Sequence, residues 1–393
     1  MKAALQMKGN VARSVNPYGI RQEVLNEINY VKAQGSYEGP KKVLIIGGSS
    51  SYGLSSRISS AFGAGADTIA VSFERGPKTE TNIGTAGWYN NIFFREFAEE
   101  AGLVAKNFVG DAFSLAMKQQ VITYIQKEFG GKIDLLVYSL ASGVRVDPMG
   151  KKWFSSLNPI GQDVTGENIN LETEEIFEQT VHAATPEEVE GTVKVMGGED
   201  WEWWVNLLKE AGVLADNFKT VLYSYIGPKM THAFYHGGAL GRAKDQTEES
   251  AVRINENIQD IAGKATIIVA RAVTTKASVV IPILPKYLIA LYKLEENHET
   301  PIMHIDRTYR TMLYGDQANY DEKGRMRPDS FELEPTLQAK VEALFNEITA
   351  ENFKTDIAAY DLFRKEFLNL NGFEVEGNTV DEFEFDDLLT LKP

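Results

Sequence analysis

The stretch Val43-Leu44-Ile45-Ile46-Gly47-Gly48-Ser49-Ser50-Ser51-Tyr52-Gly53-Leu54-Ser55-Ser56-Arg57-Ile58 passes from four large aliphatic residues, through a glycine- and serine-rich turn, into a segment that opens a helix. An unbroken aliphatic run suits a strand buried on both faces of a parallel sheet. In the turn, glycines permit a tight bend and let the backbone approach a bound group closely. The free N–H groups and positive end of the following helix then face that group, which is the chemistry of a phosphate-binding turn. A plain strand-to-helix connection suits the same residues, and the rest of the chain decides between the two.

Short apolar runs recur at Thr68–Phe73, Val104–Phe108, Ile133–Tyr138, Thr220–Ser224 and Thr266–Val273. Helix-length segments, Leu54–Phe62, Trp88–Ala101 and Leu115–Phe129, separate the early ones. Strand and helix in alternation predict an α/β fold, a Rossmann-like doubly wound parallel sheet with ligands at the carboxyl ends of its strands. A hairpin turning at Lys8-Gly9-Asn10 and a helix over Arg21–Lys32 precede it. The pattern breaks over residues 143–216, where the polar stretch Asn158–Glu174 leads into acidic helices that include Glu199-Asp200-Trp201-Glu202-Trp203-Trp204. This segment is expected to be an insertion beside the sheet on the substrate side, with the tryptophans as packing anchors. Residues 279–393 are expected to be a helical substrate-binding and packing region. With no internal repeat or obvious linker, one elaborated domain over residues 1–393 is the simplest organisation.

The chain has 393 residues, 43% of them apolar, enough to fill a sizeable core. Its net charge of -15 opposes nucleic acid and anionic membranes, so an anionic substrate needs a local positive site. It has no cysteine, which excludes disulfides, thiolate nucleophiles, Cys-ligated zinc and iron–sulfur clusters. The N-terminus lacks the apolar stretch of a signal peptide, and the most apolar segment, Val279–Tyr292, is interrupted by Pro282, Pro285 and Lys286. A cytoplasmic protein with no membrane insertion is expected.

The second strand settles the reading of the turn. Thr68–Phe73 ends in Glu74, an acidic side chain able to accept hydrogen bonds from adenosine ribose hydroxyls and to repel a 2′-phosphate. That favours NADH over NADPH, with Arg75 and Lys78 close enough in sequence to soften the preference. At the next strand ends, Gly110-Asp111-Ala112 is placed to meet adenine, and Ser139-Leu140-Ala141-Ser142 to line the nicotinamide ribose. The spacing Gly47-x3-Ser51-x-Gly53 resembles the Gly-x3-Gly-x-Gly of short-chain dehydrogenases, with Ser51 replacing the middle glycine. Four suitable strand ends in sequence support dinucleotide binding together, where each alone is an ordinary strand end.

Without thiols, acid–base work falls to Tyr, Lys, Asp and Glu. The five histidines, His182, His232, His236, His298 and His304, show no ligand spacing, and no metal is expected. Tyr223-Ser224-Tyr225-Ile226-Gly227-Pro228 leaves a strand on the cofactor side, and Tyr235 follows with Lys244 nine residues on. On one ideal helix those two would face opposite ways, since nine residues turn about 900°. The glycines at Gly237, Gly238 and Gly241 offer a break: Tyr235 before it and Lys244 early in the next helix both reach one cofactor. Lys244 would then hold the nicotinamide ribose and draw down the phenol of Tyr235. Taken alone the spacing is nonspecific, and a packed tyrosine with a solvated lysine accounts for it equally well.

Together these residues resemble the FabV-type trans-2-enoyl reductases, which act on enoyl-acyl-carrier-protein or enoyl-CoA. The resemblance runs through Asn16-Pro17-Tyr18-Gly19, the Gly47–Gly53 turn, Gly84-Thr85-Ala86-Gly87-Trp88-Tyr89-Asn90, Gly110–Phe113, Tyr138–Ser142, Val195–Trp201, Tyr225-Ile226-Gly227, Tyr235-x8-Lys244, Val273–Ser278 and Phe367–Phe373. It departs at Ser51 and at Gly143-Val144-Arg145, where the family has a glycine and usually a proline-containing turn. The resemblance implies NADH-dependent reduction of the 2,3 double bond of a trans-2-enoyl thioester, the last step of fatty acid elongation; a monomer is expected. It implies Tyr235 as proton donor, Tyr225 on the thioester carbonyl and Lys244 on the cofactor. Cofactor contacts are implied at Gly47, Gly48, Ser49, Ser50, Ser51, Tyr52, Phe73, Glu74, Asp111, Ala112, Leu140, Ala141, Val273, Thr274 and Thr275. The run Val279–Pro285 is expected among helices bordering the acyl pocket. Two other readings share the turn: a carbonyl reductase or epimerase of the short-chain dehydrogenase type, and a non-catalytic NAD-responsive binding module.

Overall fold

The computed structural model describes residues 1–393. Its centre is a six-stranded parallel sheet of β1 (Lys42–Ile46), β2 (Asp67–Ser72), β3 (Ala105–Val109), β4 (Ile133–Tyr138), β5 (Leu214–Ser224) and β6 (Lys264–Val269), ordered β6-β5-β4-β1-β2-β3. The order reverses between β1 and β4, the switch point at which doubly wound sheets bind ligands. Both faces of β1 are covered. Leu44 and Ile46 enter one core cluster, Val43 and Ile45 the opposite one, and all four are fully buried. That is why the strand reads as continuous rather than alternating.

The flanking helices are α1 (Pro17–Ala33), α2 (Ser51–Ile58), α3 (Ala86–Glu100), α4 (Leu115–Glu128), α5 (Pro186–Met196) and α6 (Glu199–Glu210). They are followed by the short α7 (His232–Tyr235), α8 (Ala239–Ile258), α9 (Leu284–Leu294), α10 (Pro301–Thr308), α11 (Pro335–Glu347) and α12 (Tyr360–Asn369). One face of the sheet packs on Val121 and Ile125 of α4, Trp201 and Trp204 of α6, and Ile254 and Ile258 of α8. The other face receives Ile305 of α10 and Tyr309 and Met312 beyond it. The opening hairpin forms, with Met7 opposite Ala12. No helix is long and apolar enough to cross a membrane.

Three segments differ in detail from the sequence expectation. α2 passes at Ser59 into a π-helical turn ending at Gly63. The polar stretch Asn158–Glu174 supplies the first strand of an antiparallel ribbon, Val164–Asn170, which pairs with Glu175–Val181 beyond it. Much of that ribbon is exposed, and most of its side chains are polar; Ile169 is its buried anchor. Of the acidic helices, α6 lies against the sheet itself, with Trp201 and Trp204 inaccessible to solvent. Finally, β6 ends at Val269 instead of Val273. Ala270 N–H still reaches Ser224 O (2.8 Å), but Ala272 N–H donates to the Glu332 carboxylate (2.7 Å) and Thr275 N–H to Ser278 Oγ (2.8 Å). Side chains replace the ladder there, and the chain turns away from the sheet.

Candidate active site

The Gly47–Gly53 turn has the shape its residues imply. Gly47 takes a left-handed φ of 86°, and a Cβ there would lie 2.2 Å from Ser139 O. A Cβ on Gly53 would lie 2.0 Å from Gly47 O. Any side chain at either position would push the turn off the β1 and β4 ends. Ser51 also adopts a left-handed conformation, with φ 50°. This is the position of the missing glycine, and the serine accepts the backbone that glycine would. Ser50 precedes α2 without a side-chain capping bond, so the leading N–H groups of the helix are left for an anionic ligand. The turn therefore fits a dinucleotide pyrophosphate.

Beyond β2, Phe73 projects its ring into solvent, 75% exposed. The Glu74 carboxylate is held from both sides, accepting hydrogen bonds from Ser49 Oγ (2.6 Å) and from the hydroxyl of Thr85. A Cβ on Gly87 would lie 2.0 Å from Glu74 Oε1, so α3 must begin with glycine there for the carboxylate to seat. Thr85 and Gly87 are functional neighbours that sequence reading quoted but assigned no role. Asn90 of the same helix donates to Ser49 O (2.8 Å) and holds the turn from above.

After β3, Asp111 accepts from Phe113 N–H (2.9 Å), and Ala112 offers its carbonyl to Lys118 Nζ (2.7 Å). Lys118 is fully buried and paired with Asp200 (2.8 Å), which also accepts from Tyr138 O–H (3.0 Å). Thus α6 anchors the ends of both β3 and β4.

Past the sheet edge lies a cavity of about 500 Å³. Tyr52, Leu140, Ala141, Tyr225, Tyr235, Lys244, Val273 and Thr275 all line it, each having been singled out in sequence. Ser50, Ser51 and Thr274 instead line a smaller cavity of about 80 Å³ over the start of α2, together with Lys276. Gly47, Gly48, Ser49, Phe73, Glu74, Asp111 and Ala112 lie outside both linings, on the turn and strand ends described above. Tyr235 ends α7 and Lys244 lies in the first turns of α8, with Gly238 between them in extended conformation. The break redirects the chain so that both side chains meet one cavity. Val280, Ile281 and Leu284 form an apolar part of the wall, from a short 3-10 turn, a loop residue and the start of α9.

The rings of Tyr225 and Tyr235 meet edge to face at 4.6 Å. Burial, reinforced by the charge of Glu332, pushes the Tyr235 phenol well above its ordinary range. The expected lowering by Lys244 is not found: burial and the charge of Glu332 both act to raise the phenol, which keeps its proton. Burial also draws Lys244 down to about 8. Glu332, which sequence reading missed, accepts from Tyr225 O–H (3.1 Å) and Tyr287 O–H (2.8 Å). No local signal marks it, because its partners lie 45 to 107 residues away.

A family model described as the catalytic region of trans-2-enoyl-CoA reductase matches residues 82–314, and one described as that enzyme's NAD(P)H-binding domain matches residues 3–79. A third, described as an enoyl reductase FAD-binding domain, matches residues 320–382. That segment does not fit a flavin cradle. Val341, Phe353, Tyr360 and Phe363 are buried in hydrophobic packing. Arg364, Phe367 and Leu368 border a cavity of about 260 Å³, and Glu366, Asn369 and Leu370 border the 80 Å³ one. Both fall below the roughly 300 to 1,000 Å³ of small-molecule sites. An enoyl-[acyl-carrier-protein] reductase [NADH] of Photobacterium profundum is 51% identical over 379 residues, 94% of each chain. A trans-2-enoyl-CoA reductase [NADH] of Clostridium beijerinckii is 48% identical over 391 residues, 98% of each. The crystal structure of Clostridium acetobutylicum trans-2-enoyl-CoA reductase in complex with NADH superposes with a TM-score of 0.97 over 100% of both chains at 45% identity. Matched by these models and relatives along nearly its whole length, this chain belongs to the trans-2-enoyl-CoA reductase family.

Proposed function

We propose that the protein reduces the 2,3 double bond of trans-2-enoyl thioesters, carried on CoA or acyl-carrier protein, with NADH as reductant, the reaction that completes a round of fatty acid elongation. The observation that carries this reading is the meeting of Tyr225, Tyr235 and Lys244 in one largely apolar cavity at the carboxyl end of the sheet. When bound, NADH supplies a hydride to the β-carbon of the substrate. The α2 N-terminus and the Gly47–Tyr52 turn hold its pyrophosphate, and Glu74 accepts from the adenosine ribose. Phe73, Asp111 and Ala112 border the adenine. Leu140, Ala141 and Val273–Thr275 border the nicotinamide half, with Lys244 on its ribose.

Hydride addition turns the thioester carbonyl into an enolate. Tyr225 and Tyr235 point phenols into a desolvated site, where such donors stabilise developing oxyanion charge. Tyr235, like Tyr225, keeps its proton on oxygen well beyond neutral pH, and the family resemblance makes Tyr235 the group that passes it to the enolate. The apolar wall of Val280, Ile281 and Leu284 receives the acyl chain.

The test is NADH oxidation with crotonyl-CoA, wild type beside Tyr235→Phe. Turnover that falls about 100-fold in the variant with NADH affinity unchanged supports the assignment. Absence of turnover with any enoyl thioester, despite NADH binding, overturns it.

A further inference from the structure

We infer that Glu332, behind the cavity wall, is a positioning residue that decides whether the Tyr225 hydroxyl proton points at the carboxylate or at the substrate oxygen. This rests on the proposed reaction and adds a device that controls it.

A phenol has one proton to give. In the hydrogen-bond arrangement found, Tyr225 donates it to Glu332 Oε1, which leaves lone pairs facing the cavity and repels an enolate. If Glu332 carries a proton, its O–H donates to the Tyr225 oxygen, and the Tyr225 O–H turns towards the thioester. The surroundings fix where that proton sits. Ala272 N–H, a permanent donor, occupies Oε2 (2.7 Å), so the acid proton belongs on Oε1, beside Tyr225. Gln338 Nε2 donates to the Tyr287 oxygen (2.9 Å), which aims the Tyr287 proton at Oε1 (2.8 Å) in either state. Tyr225 is therefore the partner able to reverse.

The charges around Glu332 leave the choice balanced. It is fully buried, and the cation that faces it, Arg271, is committed to Glu295 and lies 3.8 Å from Glu299. Asp329 faces it from the same loop, itself bound to Arg327 (2.8 Å), while Tyr52, Tyr235, Tyr225 and Tyr287 approach from α2, α7, the β5 exit and α9. Burial raises its carboxyl to about 7, against the opposing pull of the Ala272 N–H, Arg271 and Tyr287. The protonated, productive form holds below that pH and is lost above it.

The experiment is the pH profile of kcat/KM for crotonyl-CoA with saturating NADH, in wild type, Glu332→Gln, Tyr287→Phe and Tyr225→Phe. In wild type an alkaline limb begins near neutrality and costs about tenfold between pH 6 and 8. Glu332→Gln, whose amide donates to Tyr225 at every pH, reduces that fall to less than about threefold, the remainder belonging to Lys244. Tyr287→Phe removes a donor to the carboxylate and moves the limb to higher pH. Tyr225→Phe is slower and keeps only the shallow fall that belongs to Lys244. Infrared difference spectra of the full-length protein follow the Glu332 carboxyl band across the same pH range, independently of turnover. A limb in the wild-type position in both Glu332→Gln and Tyr287→Phe, with NADH binding intact, overturns the proposal. Wild type without enoyl thioester turnover overturns the underlying reaction instead.

Discussion

Ser51, in the middle of the Gly47–Gly53 turn, takes a left-handed backbone conformation that favours glycine. Its φ of 50° is a conformation that costs an L-residue about 1–2 kcal/mol relative to the right-handed one. Ser51→Gly relieves that strain but adds freedom to the unfolded chain worth roughly 0.5–1 kcal/mol. Denaturant unfolding should therefore show a net change within about 1 kcal/mol for Ser51→Gly. The β-branched Ser51→Val should lower stability by about 1–3 kcal/mol. Residue-scale chemistry was legible where a local constraint wrote it: glycines forced by backbone contact, and an acid at the end of β2. Glu332 was illegible, since nothing near it in sequence distinguishes a buried acceptor from the neighbouring surface acids.

At the scale of elements, strand identities came through because strands buried on both faces must be apolar throughout. Their ends did so less well. Residues 270–273 keep the composition of β6, but past Ala270 the N–H groups of Arg271 and Ala272 go to side chains, a choice made by His304 and Glu332 far along the chain. The first strand of the ribbon, Val164–Asn170, falls in the polar stretch Asn158–Glu174 because a two-stranded element with much of its surface in water needs few apolar residues. The start of α3 carries a prediction of its own. In Gly87→Ala the new methyl displaces the Glu74 carboxylate, which loses its geometry towards the ribose. Loss of a charged hydrogen bond, about 1.5–3 kcal/mol, should raise the KM for NADH by roughly 10- to 100-fold. The kcat at saturating NADH and the unfolding temperature should stay near wild type.

Across the whole molecule, the C-terminal helices are tied to the sheet domain through a buried ionic network. His298 bridges Glu295, which also binds Arg271, and Glu366 of α12. Burial disfavours its charge, but hydrogen bonds and charge from the two glutamates prevail and raise it to about 9. A folded-state value above the unfolded one gives stability that is complete below about pH 6.5 and is lost as pH rises through about 9. Over that window the loss is roughly 3 kcal/mol. Thermal unfolding should show it as a falling Tm, and His298→Gln should start lower and flatten the fall; an unchanged slope would separate the bridge from stability. The sequence by itself determined the sheet, its glycine-rich turn and the acidic residue after the second strand, because each depends on burial period or on contacts within a few residues, and it carried the reaction family through the motifs it shares with that family. Tertiary structure alone decided that Tyr235 and Lys244 share a cavity across the Gly238 break, and that Glu332 stands behind Tyr225. Those placements depend on contacts between residues far apart in sequence, which no local pattern records.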